Sequence, residues 1–245
     1  MKLQAIWCRV EPRGLGPAGD FGPDLDRPSQ PGRPGLDGLL HPPFAGLGDD
    51  EPLDAVSRFH LGNGASACAI LNGQSVATTM GYSPLDGLTM GTRGGSLDPA
   101  VVLDLAERHG VQGAAQILNR ESGLLGLGGA ADMRALRGLA TPEARFAIEH
   151  FAYSAIRHAG SLMAAMGGLD GIVFTGGIGE HDAEMRAAIL SGLAWAGVTF
   201  DAAANQAHEL CLHKSGARVA IWRVTADEER QIALEAMQVI ASEGI

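Results

Sequence analysis

Nine of the chain's 12 prolines fall between Pro12 and Pro52, interleaved with Gly14, Gly16, Gly19, Gly22, Gly32, Gly35, Gly38, Gly46 and Gly48. A helix or a strand ladder cannot be held there. Proline removes amide donors, glycine raises the entropy cost of ordering, and few large apolar side chains are present to offset it. A proline-rich docking arm would be the functional alternative, but no repeated PxxP pattern with basic flanks is present. Residues 1–57 are therefore expected to be a disordered or non-native segment, and residues 58–245 to carry the fold.

From Phe59 onward the pattern is that of an α/β domain. Phe59 to Asn63, Ala65 to Leu71 and Ser75 to Met80 predict three strands in a meander, turned at Gly62-Asn63-Gly64 and Asn72-Gly73. Asp98-Pro99 supplies an N-cap and a first-turn proline for a helix to about His109, and a second helix is expected over Gly113 to Asn119. Thr141-Pro142-Glu143 opens a long helix to about Met166. Gly171 to Thr175 then reads as a strand, followed by the glycine turn Gly176-Gly177-Ile178-Gly179 and a helix from Asp182 to Ala196. Val219 to Val224 gives another strand, and Ala226 to about Ser242 a closing helix. A meander followed by alternating strands and helices predicts a mixed sheet flanked by helices.

Bulk chemistry narrows the function. A hydrophobic share of 46% supports a real core, and a formal charge of -10 without clustered Lys or Arg argues against nucleic-acid binding. Cys8, Cys68 and Cys211 are odd in number and show no metal spacing, so a reducing, cytoplasmic setting is expected without disulfides or zinc. No apolar run reaches the ~18 residues of a membrane span, and the apolar start after Lys2 is too short for a signal peptide.

Five stretches can carry chemistry, and each has a plain alternative. His60-Leu61-Gly62-Asn63-Gly64 is either an ordinary Asn-Gly hairpin or a nest of amides suited to phosphate oxygens. Arg93, in Met90-Gly91-Thr92-Arg93-Gly94-Gly95-Ser96, is either a surface arginine or one that reaches a transferring phosphoryl group. Glu121 to Gly129, with Asp132-Met133-Arg134, reads as a glycine-rich connection with solvated charges. Gly176 to Glu180 follows a strand, the position at which an open α/β sheet holds its ligand, although chain reversal alone also explains it. Asp227-Glu228-Glu229 either complements a helix dipole or offers a carboxylate to Mg²⁺.

In chain order, HLGNGAS, ATTMGYSPLDGLTMGTRGGSLDP, ESGLLGL with DMR, FTGGIGE and TADEE resemble the carboxy-terminal two thirds of the acetate and butyrate kinase family. The resemblance implies a ribonuclease-H-like domain of the sugar kinase, Hsp70 and actin superfamily, that is, an actin-like ATPase fold. It also implies reversible transfer of the γ-phosphoryl group of ATP, with Mg²⁺, to a short-chain carboxylate such as acetate, with propionate or butyrate as alternatives. By that resemblance His60, Asn63 and Gly64 lie against the phosphates and Arg93 stabilises the transition state. Asp132 and Arg134, with Gly177, Ile178 and Gly179, line the adenosine pocket, and Glu228 serves Mg²⁺. The wider nucleotide site takes in Leu61, Gly62, Met133, Gly176, Glu180 and His181. A homodimer is implied as well.

The chain departs from the family at His181, where Asn is usual, and at Gly94-Gly95-Ser96, which varies on Ser-Gly-Asp. The larger departure is upstream: residues 1–57 match neither the family's opening strand, with its serine run and Lys, nor the Arg, Asp and His of its first domain. An inactive nucleotide-binding fragment is therefore the alternative to an active kinase.

Overall fold

The computed structural model of the protein describes residues 53–226 and Met237. Three strands form the meander, β1 (Ala55–Leu61), β2 (Ala65–Leu71) and β3 (Gln74–Thr78). They are followed by α1 (Pro99–Gln116), a wide π turn (Ile117–Glu121), α2 (Gly123–Gly128), α3 (Met133–Leu139) and the long α4 (Pro142–Met166). The chain then alternates through β4 (Gly171–Thr175), α5 (Gly176–His181), α6 (Ala183–Gly192), a 3₁₀ turn (Ala194–Ala196), α7 (Ala202–Gln206) and β5 (Ala220–Arg223).

The sheet order is β3-β2-β1-β4-β5. The meander pairs antiparallel, whereas β1 with β4 and β4 with β5 run parallel. A mixed sheet is what an α/β chain with a leading meander should form. The first strand opens at Ala55, upstream of the expected Phe59, because Ala55 and Val56 are buried and Val56 has Gly171 as its partner across the sheet.

Period-2 alternation splits β1 between two layers. Phe59 and Leu61 join the main core, while Val56 faces a smaller cluster with Cys68, Ile70, Val173 and Trp222. Phe59 and Phe174 are cross-strand partners whose rings stack at 5.6 Å. The main core is closed by α4, which turns Ala144, Ala147, Phe151, Ala155, Ala159 and Leu162 inward at three- and four-residue spacing. Its alanines let the helix lie close on β2 and β1. Its caps are those expected, with Thr141 Oγ1 accepting from the Ala144 amide and Gly167 ending the helix at φ 74°.

Elsewhere boundaries differ from expectation for local reasons. The helix expected to stop at His109 is broken by Gly110, at φ 70°, and then resumes to Gln116. The helix expected to run to Ala196 ends at Gly192, beyond which Leu193 turns fully into the core. Four short helices, α2, α3, α5 and α7, lie in stretches expected to be turns or connections. The closing helix and Glu228 lie outside the described residues.

Candidate nucleotide site

Strand register decides where the site lies. His60 pairs with Thr175 in the parallel β1–β4 ladder, and Phe174 pairs with Arg223 in β4–β5. The carboxyl ends of these three strands therefore come out at one edge, each followed by one of the stretches singled out in the sequence. In an open α/β sheet that edge is where a crevice forms.

Gly176 opens α5 directly from β4 with φ 79°, and a β-carbon there would meet the carbonyl oxygen of Leu61 at 2.9 Å. Only glycine fits so close to the end of β1. Packed this way, the Gly177 amide nitrogen lies 3.9 Å from where a β-carbon on Gly62 would stand. The two glycine turns are thus one surface, although 115 residues separate Gly62 from Gly177 in the chain.

The arginine loop is fastened to that surface. The Gly91 amide donates to the Asn63 carbonyl at 2.9 Å. Arg93 donates through Nη1 to the Pro84 carbonyl at 2.7 Å, while its Nη2 stands 3.0 Å from where a β-carbon on Gly64 would sit. The same loop caps α2: the amides of Leu124 and Leu125 donate to the carbonyls of Met90 and Gly91, each at 2.9 Å. Ser122, the N-cap, turns its hydroxyl to the Ile117 carbonyl at 2.8 Å and caps no helix amide, so these loop carbonyls satisfy amides that a capping side chain would otherwise take. That is why a glycine-rich stretch is helical here.

Opposite this surface stands α3. Its N-cap Asp132 accepts from the amides of Arg134 and Ala135 at 3.0 and 3.1 Å. Arg137, one turn on, grips Asp182 with Nη2 at 2.9 and 3.0 Å from the two carboxylate oxygens, and its Nη1 pairs with Glu184. Asp182 is itself the N-cap of α6, accepting from the Met185 amide at 2.9 Å. Two walls, α3 and the α5–α6 corner, are held at a set separation by this pair.

Between them lies a cleft of about 620 Å³, lined by Gly62, Asn63, Asp132, Met133, Arg134, Gly177, Ile178 and His181 of the expected site residues. Ala131, Arg137, Asp182, Ala183, Glu184, Gln206 and His208 line it too, and sequence reasoning passed over all of these. Arg137 and Asp182 carried a faint signal, as charges beside predicted helix ends. Gln206 and His208 carried none, since α7 reaches the cleft only through tertiary packing.

The remaining expected residues do not line the cleft. Leu61 is wholly buried core, His60 is half-buried beside Gly176, and Gly176 and Gly179 are buried at the back of α5. Gly64 faces Arg93. Glu180 is a correction: its buried carboxylate accepts through Oε1 from the amides of Gly176 and Ala226, both at 2.9 Å. It staples the start of α5 to the segment after β5, because the buried Gly176 amide and the part-buried Ala226 amide need an acceptor. Glu228, two residues beyond Ala226, falls outside the described residues.

Arg186 of α6 backs the cleft. Fully buried, it donates to the carbonyls of Gly179 and Glu180 at 2.9 Å and to the Asn205 Oδ1 and carbonyl at 2.8 Å. Burial, with Arg223 nearby, pushes its pKa down to about 10, while Asp182 works the other way. The group still carries its charge at neutral pH.

Known proteins share this sequence pattern and fold. The acetokinase family model matches residues 49–234. The acetate kinase of Methylocella silvestris is 45% identical over 195 residues, covering 77% of this chain and 48% of that protein. The crystal structure of Porphyromonas gingivalis acetate kinase superposes with a TM-score of 0.72 at 33% identity, over 76% of this chain and 49% of that one. A propionate kinase from Francisella tularensis superposes with a TM-score of 0.70 at 38% identity, over 74% and 48%. The chain spans about half the length of the relatives it matches.

Proposed function

Because the chain belongs to the acetokinase family, we propose that its cleft binds ATP for transfer of the γ-phosphoryl group to a short-chain carboxylate, acetate in the first place. The observation that carries the proposal is the joining of three dispersed stretches, around Asn63, Arg93 and Gly177, at the carboxyl edge of β1 and β4. The phosphates would lie against the Gly62–Gly64 turn and the nucleoside between Gly177-Ile178 and Met133-Arg134. Arg93, already beside Gly64, would meet charge developing on the transferred group. Phosphoryl transfer needs little covalent help from a protein, so positioning and charge stabilisation of this kind suffice.

For Mg²⁺, the carboxylates lining the described cleft are committed elsewhere: Asp132 to a helix cap, Asp182 and Glu184 to Arg137. By the family resemblance Glu228, which lies outside the described residues, would hold the ion. The ion would shield the phosphate charge. The protein's own part is to hold the nucleotide and to keep Arg93 in place.

A second reading is nucleotide binding without turnover, since residues 1–57 match none of the serine run, Lys, Arg, Asp and His of the family's first domain. The setting would be cytoplasmic; among the described residues no helix is long and apolar enough to cross a membrane. A homodimer could form through α1, where Leu103 and Val111 are 71% and 78% exposed.

Isothermal titration with Mg-ATP on the wild type, Asn63→Ala and Arg93→Ala tests the binding. Asn63→Ala should weaken affinity, whereas Arg93→Ala should leave it nearly unchanged, since a group that acts in the transition state adds little to ground-state binding. No binding heat from folded wild type would end both readings. Hydroxylamine trapping of an acyl phosphate then separates the kinase from the silent binder.

A further inference from the structure

His208 is held in the cleft wall by contacts that leave one ring nitrogen for a ligand. It follows α7 at φ 54°, in the left-handed region, which a non-glycine residue keeps only where surrounding contacts impose it. Its Nδ1 lies 3.1 Å from Nη2 of the buried Arg186 and 3.2 Å from the Glu180 carbonyl. A guanidinium can only donate. The Glu180 carbonyl is neutral and already accepts from Arg186 Nη1 at 2.9 Å, whereas the guanidinium is charged, so the Nδ1 lone pair faces Arg186 and the hydrogen is on Nε2. His208 lines the cleft.

Its place along the cleft follows from α5. One end of that helix, at Gly177, adjoins the Gly62 turn, while the carbonyls at its other end, Gly179 and Glu180, meet Arg186 and through it His208. Glu180 is three residues beyond Gly177, about 4.5 Å of helix at ~1.5 Å per residue, and His208 lies beyond its carbonyl. With phosphates on the Gly62–Gly64 turn, His208 therefore stands toward the nucleoside end.

We propose that His208 reads the nucleoside end of the bound nucleotide, its Nε2–H donating to a nitrogen or oxygen acceptor there. This rests on nucleotide binding at the cleft. Gln206, on the same short helix, lines the cleft beside it, so α7 forms a rim whose side chains belong to this chain's own recognition of the ligand.

The test is titration of the full chain with Mg-ATP and, separately, with Mg-tripolyphosphate, for wild type, His208→Ala and His208→Gln. Nitrogen NMR of the imidazole should report hydrogen on Nε2 in the wild type. His208→Ala should lower ATP affinity about fivefold to tenfold, the worth of one hydrogen bond, and leave tripolyphosphate affinity unchanged. His208→Gln, which keeps an N–H donor, should recover most of the loss. An unchanged ATP affinity in His208→Ala, or an equal loss for both ligands, overturns the proposal. Wild type that binds tripolyphosphate as tightly as ATP also overturns it, yet spares the phosphate turn. Wild type that binds neither removes the nucleotide site itself.

Discussion

The amide of Gly91 donates to the carbonyl of Asn63 across 2.9 Å, and this one bond ties the arginine loop to the turn between β1 and β2. The approach is so close that a β-carbon on Gly91 would stand 2.0 Å from Asn63 Oδ1 and 2.9 Å from the Ala131 carbonyl. The side chain of Asn63 can move, but the Ala131 backbone cannot move without shifting the start of α3. Gly91→Ala should therefore cost about 1–3 kcal/mol, as overpacking does, and should separate Arg93 from Gly64. Urea unfolding measures the first effect. A stability and a nucleotide affinity both equal to wild type would show that the contact is not as close as described.

Glu180 should behave as a staple. Glu180→Ala leaves the amides of Gly176 and Ala226 without their acceptor, at a cost of about 1–3 kcal/mol, most of it from the buried Gly176 donor. Glu180→Gln keeps an oxygen in place and should cost less than half as much. Hydrogen exchange at Ala226 gives the local readout, and protection that survives in Glu180→Ala would contradict the assignment.

Arg137 and Asp182 should be coupled. The two side chains are 32% and 16% exposed, and Nη2 lies within hydrogen-bond distance of both carboxylate oxygens, so the pair should be worth about 1 kcal/mol, more than a fully exposed pair. The Glu184 arm, on a side chain 73% exposed, should add little. A double-mutant cycle with Arg137→Ala and Asp182→Asn reads the coupling directly, and strict additivity would refute it.

Acid should loosen α7 through Asp201. The amides of Ala204 and Ala203 donate to this N-cap carboxylate and hold its pKa below the ordinary value. The folded pKa is the lower one, so the stabilisation is fully present above the unfolded value of about 3.9 and is lost as pH falls through the folded one. Asp201→Asn, which cannot titrate, should flatten the acid limb of a stability profile recorded from about pH 6 down to about pH 3. Equal slopes for the two proteins would rule this out.

Much of the fold was legible from the chain alone because its signals are local. Thr141-Pro142 and Gly167 bracket α4 by capping chemistry, turn residues on both sides mark β2, and an apolar run between turn residues marks β4. The short helices were not legible. Glycines in α2 have poor helix propensity, and its first amides are satisfied by carbonyls some thirty residues upstream, which no local window contains. Asp201 did offer a cap for α7, but five residues of helix give no period to detect.

The site divides in the same way. The sequence by itself determined which stretches can approach a phosphate, since glycine, asparagine and arginine in those patterns have few other uses in combination, and the family resemblance arranged them in order. Only the tertiary structure decided which side of each stretch meets the ligand. Parallel pairing of β1 with β4 brought the Asn63 and Gly177 turns to one edge. Burial turned the Glu180 carboxylate inward to two amides, and Arg186 drew His208 to the cleft. Strand register and the demand that buried polar groups find partners are set across the whole chain, and no short segment encodes them.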